Sequence, residues 1–128
     1  MSDSKTGTIG WVDLTVDAAD DIRDFYARIT GWKPEPVPMG EFSDYSMHAP
    51  ETGEAVAGIC HREGVNATLP PHWLIYITVA DVDASAARCV ELGGKVLLGP
   101  RAMGPKARYC VIQDPAGAVA ALYGVKSD

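Results

Sequence analysis

Positive charge is scarce in this chain. Eleven Lys and Arg stand against 17 Asp and Glu, a formal net charge of −6 with a pI near 4.9. That balance argues against a general nucleic-acid binder or a protein drawn to acidic membranes, because such surfaces need clustered Lys and Arg to displace counterions. The one basic cluster, Arg101, Lys106 and Arg108, is confined to a Gly/Pro-rich stretch read here as a loop. Cysteine is also sparse: Cys60, Cys89 and Cys110 form no CxxC pair and are odd in number, so a disulfide framework is not expected and buried free thiols are. No apolar run approaches the roughly 18 residues of a membrane span. The start, Met1-Ser2-Asp3-Ser4-Lys5-Thr6-Gly7, lacks the basic and apolar regions of a secretory signal, which predicts a short frayed end and a cytoplasmic location. HExxH, GxSxG, P-loop and dinucleotide fingerprints are all missing.

What the chain does contain is a match to itself. Trp11-Val12-Asp13-Leu14-Thr15-Val16 lies over Leu74-Ile75-Tyr76-Ile77-Thr78-Val79, and Ala55-Val56-Ala57-Gly58-Ile59-Cys60 over Ala118-Val119-Ala120-Ala121-Leu122-Tyr123, both at an offset of 63 residues. Gly31 falls on Gly94, and Glu51 to Glu54 on Asp114-Pro115-Ala116-Gly117. A repeat of this length is a supersecondary unit duplicated. With 128 residues there is room for one ordinary domain, so each half must lean on the other or on a second chain.

In the first module, about residues 8–61, Val12, Leu14 and Val16 alternate with Trp11, Asp13 and Thr15, the period of a two-faced strand. A helix follows, with Asp17 and Asp20 as cap residues, an apolar stripe of Ile22, Phe25, Tyr26 and Ile29, and Gly31 as its stop. Strands are expected at Phe42 to Ala49 and Ala55 to His61, with a short one near Glu35 to Val37 confined to an edge by its prolines. A linker over residues 62–72, carrying Gly64, Asn66, Pro70 and Pro71, leads to the second module, about 73–124. There a strand precedes a helix from about Asp83 to Leu92, whose stripe is Val82, Ala86, Cys89 and Leu92. Strands follow near Lys95 to Leu98, Arg108 to Gln113 and Ala118 to Tyr123. The class is α+β: two tandem βαβββ modules in a single domain, 1–128.

This paired module, with Phe25-Tyr26 late in its first helix, Gly31-Trp32 after it and Asp114-Pro115-Ala116-Gly117 before the last strand, resembles the vicinal oxygen chelate superfamily of glyoxalases, dioxygenases and bleomycin-resistance proteins. The resemblance, from about Thr8 to Gly124, implies curled mixed sheets around a cleft with the helices on the outer faces. It also implies a homodimer. In enzymes of that superfamily a divalent metal is held by His, Gln or Glu on the first and last strand of each module. The corresponding residues here are Trp11, Gly58, Leu74 and Ala121, none with a donor side chain, so neither metal nor other cofactor is expected.

Alternation then sorts the remaining residues: Val12, Leu14, Val16, Ile75, Ile77 and Val79 face the helices, and their neighbours face the cleft. The third strands follow family geometry, which turns Tyr109 and Val111 inward, and the offset transfers that to Ser46 and His48. The expected ligand-binding set is Trp11, Asp13, His48, Cys60, Tyr76, Tyr109 and Tyr123, with space left by Gly58 and Ala121. Asp13 is open to three roles: holding a cationic ligand nitrogen, acting as a base with His48, or making a structural hydrogen bond. His61 and His72 read as surface residues. The leading expectation is a metal-free protein that binds a small organic molecule in the inter-module cleft. The alternatives are an enzyme with a relocated, metal-independent site built on Asp13 and His48, and an interaction module whose cleft is merely core. No nucleic-acid or membrane partner is expected.

Overall fold

The computed structural model describes residues 5–64 and 67–125. The first residues of the expected frayed end, Met1 to Ser4, and Asn66 of the linker lie outside them. Two compact units result, one of Trp11–Trp73 and the other of the described residues up to Gly10 and from Leu74 on. The division at Trp11 has a simple cause: Thr78 accepts a hydrogen bond from the Gly7 N–H at 2.7 Å and donates to the Thr8 carbonyl at 2.8 Å, so the residues before β1 bond within the second unit.

In the first unit the order along the chain is β1 (Ile9–Val16), α1 (Ala19–Thr30), β2 (Lys33–Pro38), β3 (Ser43–His48) and β4 (Ala55–His61). The strands lie β2-β3-β4-β1, with β1 parallel to β4 and the other pairs antiparallel. β2 is an edge, as its prolines require, since Pro34, Pro36 and Pro38 have no N–H to donate. Helix α1 ends where Gly31 takes the left-handed conformation at φ 82° and its N–H closes on Ala27. The expected start is corrected: the cap is Ala18, with no side-chain cap bond. Asp17 and Asp20 serve elsewhere, against Arg62 and Tyr45. The apolar stripe is also narrower than its spacing suggests. Ile22 and Tyr26 pack with Val16, Met47 and Ile59, while Phe25 and Ile29 stay exposed.

The second unit repeats the topology with β5 (Trp73–Thr78), α2 (Val82–Glu91), β6 (Lys95–Met103), β7 (Ala107–Gln113) and β8 (Val119–Val125), in the order β5-β8-β7-β6. The parallel pairs keep the same register at the 63-residue offset: Asp13 opposes Gly58 as Tyr76 opposes Ala121, and Leu14 opposes Ile59 as Ile77 opposes Leu122. Under α2, Val82 and Ala86 pack on Cys110 and Leu122, with Ile77, Val79, Val96 and Ile112 around them. Cys89 is only half-buried and Leu92 is exposed, so the lower half of that expected stripe is not core. The stretch read as a loop from Gly99 is strand as far as Met103, paired with β7 across two register shifts.

Candidate functional site

The helix-packed face of the first sheet carries Val16, Met47 and Ile59, so the opposite face must carry Trp11, Asp13 and Thr15 of β1 with Gly58 and Cys60 of β4. On that face the Trp11 indole N–H donates a short hydrogen bond to the Asp13 carboxylate. Both side chains lean over Gly58: a Cβ there would overlap Asp13 Oδ1 and lie 3.3 Å from its Cγ and 3.5 Å from Trp11 Nε1. The room expected at Gly58 is therefore filled, by its own neighbours on β1.

Cys60 follows in the next row. Burial, and then the negative charges of Asp13 and Asp44, hold its thiol well above the ordinary range, so it stays protonated and is a poor nucleophile. Asp44 is a residue that sequence reasoning missed. The 63-residue offset fails on the third strand, because Ser46 opposes Gly58 while Val111 opposes Ala121, a spacing of 65. A bulge at Met47/His48 and a longer β3–β4 connection absorb the difference, so Ser46, not His48, matches Val111. The two turns differ in length in the sequence, the one signal that would have exposed the slip.

That slip relocates His48. It opposes Ala55, three residues along β4 from the Gly58 row, or about 10 Å at the usual strand rise. Its Nδ1 lies 2.8 Å from the Gly53 carbonyl and its Nε2 3.6 Å from Glu35. The structure does not bring His48 to Asp13; it ties the β3–β4 turn to the edge strand. His61, expected at the surface, is instead mostly covered, with Nδ1 3.4 Å from Asp44 and Nε2 3.6 Å from Asp20. Tyr45 donates to the same Asp20 at 2.5 Å, which raises its own phenol, and the Arg23 guanidinium lies 4.6 Å from the Tyr45 ring centre. Asp20, Arg23 and Tyr45 lie on the α1 side of the sheet and brace the helix, whereas Asp44 belongs to the opposite face, beside Cys60.

In the second unit the helix-free face is Leu74, Tyr76, Tyr109, Val111 and Ala121, each 8% exposed or less, with Tyr123 half-buried. Burial pushes the Tyr109 phenol up, with Arg101 opposing. A separate depression of about 190 Å³ is lined by Ala80 to Asp83, Arg108, Gly124 and Val125. Arg108 is held there by both Asp83 oxygens at 2.8 and 2.9 Å, so its charge is paired within the unit.

The family model of the glyoxalase/bleomycin resistance protein/dioxygenase superfamily matches residues 8–122. The chain belongs to that superfamily. "Putative glyoxylase CFP32" of Mycobacterium bovis is 38% identical over 125 residues, 95% of this chain and 47% of the relative. "Anthracycline biosynthesis protein DnrV" of Streptomyces peucetius is 38% identical over 112 residues, 88% of this chain and 39% of the relative. The chain thus spans less than half the length of these curated relatives. Among solved structures, a methylmalonyl-CoA epimerase of Streptomyces coelicolor has a TM-score of 0.61 at 19% identity, over 96% of this chain and 99% of that one. A superfamily member from Vibrio splendidus has 0.60 at 12% identity, over 91% and 99%. At such identities the likeness is one of fold alone, and it matches the α+β expectation.

Membership raises the question of a divalent metal, and the residues do not fit one. The four positions that the resemblance offers as ligand positions hold an indole whose N–H is committed to Asp13, a glycine whose side-chain space is occupied, and buried Leu74 and Ala121. None offers a lone pair to a hard or borderline ion. Among the described residues no group of three or more His, Cys, Asp or Glu is arranged to hold one. Among those residues, too, no helix is long and apolar enough to cross a membrane.

Proposed function

We propose that this chain is a small-molecule-binding member of its superfamily that works without a divalent metal, with the ligand lying against the face that carries Trp11, Asp13 and Cys60. The supporting observation is the Trp11–Asp13 pair seated over Gly58: it puts a polar group and an aromatic ring where a ligating side chain would project, and it closes that place to one. An apolar wall with a few fixed polar groups is the usual make-up of such a site. The relatives' names, from glyoxylase chemistry and anthracycline biosynthesis, agree with a small organic ligand, but those proteins are more than twice as long and their activities stay with them. A homodimer and a cytoplasmic location belong to the proposal as well. The rival enzyme, an acid–base pair of Asp13 and His48, draws no support from the register, which separates the two.

The test is elemental analysis of untagged protein after incubation with Ni, Zn, Mn, Co and Fe(II), followed by thermal-shift screening of aromatic compounds. The expected result is substoichiometric metal and a raised melting temperature with organic ligands alone. One metal ion per chain would overturn the reading.

A further inference from the structure

The Asp13 carboxylate is a component with a built seat. It stands on the helix-free face of β1, one oxygen takes the Trp11 indole N–H, and its position exists only because residue 58 has no Cβ. An ionised carboxylate only accepts, and its two oxygens together offer about four lone-pair sites, so several donors can share it. We infer that Asp13 is the specificity-determining residue of the site, oriented by Trp11 and accommodated by Gly58, and that it selects organic ligands carrying an ammonium group. This rests on the small-molecule reading above and names its ligand class.

Three features carry the inference. An ammonium offers a carboxylate charge attraction as well as hydrogen bonds, whereas a hydroxyl offers the hydrogen bond alone, so a fixed anionic acceptor discriminates in favour of ammonium. An anion on this face meets repulsion instead. The Cys60 thiol, in the next row, already registers that repulsion, since Asp13 and Asp44 both oppose its ionisation after burial has done so. Finally, the Trp11 ring beside the carboxylate offers a π surface that favours a cation over its face. Trp11 therefore acts twice, directly through its ring and, as a positioning residue, through the carboxylate oxygen that its N–H pins.

The experiment uses three indoles that differ only in their tail: tryptamine, tryptophol and indole-3-acetate. Binding to the full chain is followed by calorimetry, and by the NMR cross-peak of the Trp11 indole N–H, assigned by its loss in Trp11→Phe. Tryptamine should bind most tightly and indole-3-acetate least, with the Trp11 cross-peak moving on titration. Asp13→Asn, nearly isosteric, should weaken tryptamine by about tenfold and leave tryptophol almost unchanged. Gly58→Ala should displace the free protein's Trp11 cross-peak in the direction seen for Asp13→Asn. As a control for net charge, Glu51→Gln, on the exposed β3–β4 turn, should leave all three affinities unaltered. If indole-3-acetate binds as well as tryptamine, or Glu51→Gln weakens tryptamine as much as Asp13→Asn does, the inference fails while the small-molecule reading stands. If none of the three binds up to millimolar concentration, the ligand class assigned here is overturned. Should the aromatic screen also give no ligand, the broader reading falls with it.

Discussion

The two modules have the same strand order and the same register between their parallel strands, yet their helix-free faces differ in kind. In the second, Leu74, Tyr76, Tyr109, Val111 and Ala121 are buried. In the first, Trp11, Asp13, Ser46 and Cys60 are only partly covered, and Asp44 adds a second carboxylate beside the thiol. The two share a backbone topology, while one face is largely apolar and the other holds polar chemistry. Function in such a fold sits in side chains placed on a shared frame, which is why the frame alone does not name the activity.

The sharpest way to break this comparison is to exchange the residues at its equivalent positions, Gly58 and Ala121. Adding a methyl at 58 drives it into Asp13 Oδ1 and crowds Trp11, so Gly58→Ala should cost about 1 to 3 kcal/mol by chemical denaturation. Removing one at 121 leaves the register intact, and Ala121→Gly should cost about 0.5 to 1 kcal/mol, the usual penalty for glycine within a strand. The first cost is attributed to the carboxylate, so it should shrink when Asp13→Ala is combined with Gly58→Ala. A purely additive pair would show that the clash is taken up elsewhere.

The thiols sharpen the contrast in a different way. Cys60 belongs to the polar face and Cys110 to the core under α2, and both are held above the ordinary range, Cys110 at about 11. An unfolded thiol ionises near pH 8.5, roughly the model-peptide value, while the folded ones do not. Stability from this source is therefore complete below that pH and falls as pH rises. Cys110's share is exhausted near pH 11, and Cys60's continues beyond. Each thiol adds a slope of up to about 1.4 kcal/mol per pH unit. Denaturation at pH 8 and pH 10 should give a shallower loss in Cys60→Ala than in the parent, and likewise in Cys110→Ala. An unchanged slope for Cys60→Ala would mean that its thiol ionises freely.

Much of this architecture is legible in the sequence, because it rests on periodicities that leave a direct trace. The alternation of Val12, Leu14 and Val16 with Trp11, Asp13 and Thr15 sorted two faces correctly, and three prolines marked β2 as an edge. Gly31 marked a helix end because only a residue free to take positive φ closes it so cheaply. The errors fall where one local rule competes with another. The Gly99 to Met103 segment looked like a loop by composition, yet it pairs with β7 through irregular register. His48 was misplaced because a bulge costs residues without marking the pattern. The Trp11–Asp13 bond over Gly58 could not be read at all, since residues 11 and 13 meet residue 58 only through the parallel pairing of two strands far apart in the chain.

The smallest difference between the modules lies at their helix starts, and it can be tested in both directions. Asp81 caps α2 by accepting the Ala84 N–H at 3.0 Å, whereas Ala18, exposed at the same place on α1, offers no side-chain acceptor. Asp81→Ala should cost about 1 kcal/mol, the typical loss for such a cap. Ala18→Asp should return something under about 1 kcal/mol, because it adds an acceptor but must share the first turn with Asp20 and Asp21. Ala18→Ser keeps the acceptor without the charge and separates the two terms. If the serine stabilises and the aspartate does not, repulsion among the first-turn carboxylates outweighs the cap; if neither does, the main-chain angles at residue 18, φ −102° and ψ 58°, hold the side chain away from the free N–H groups of α1.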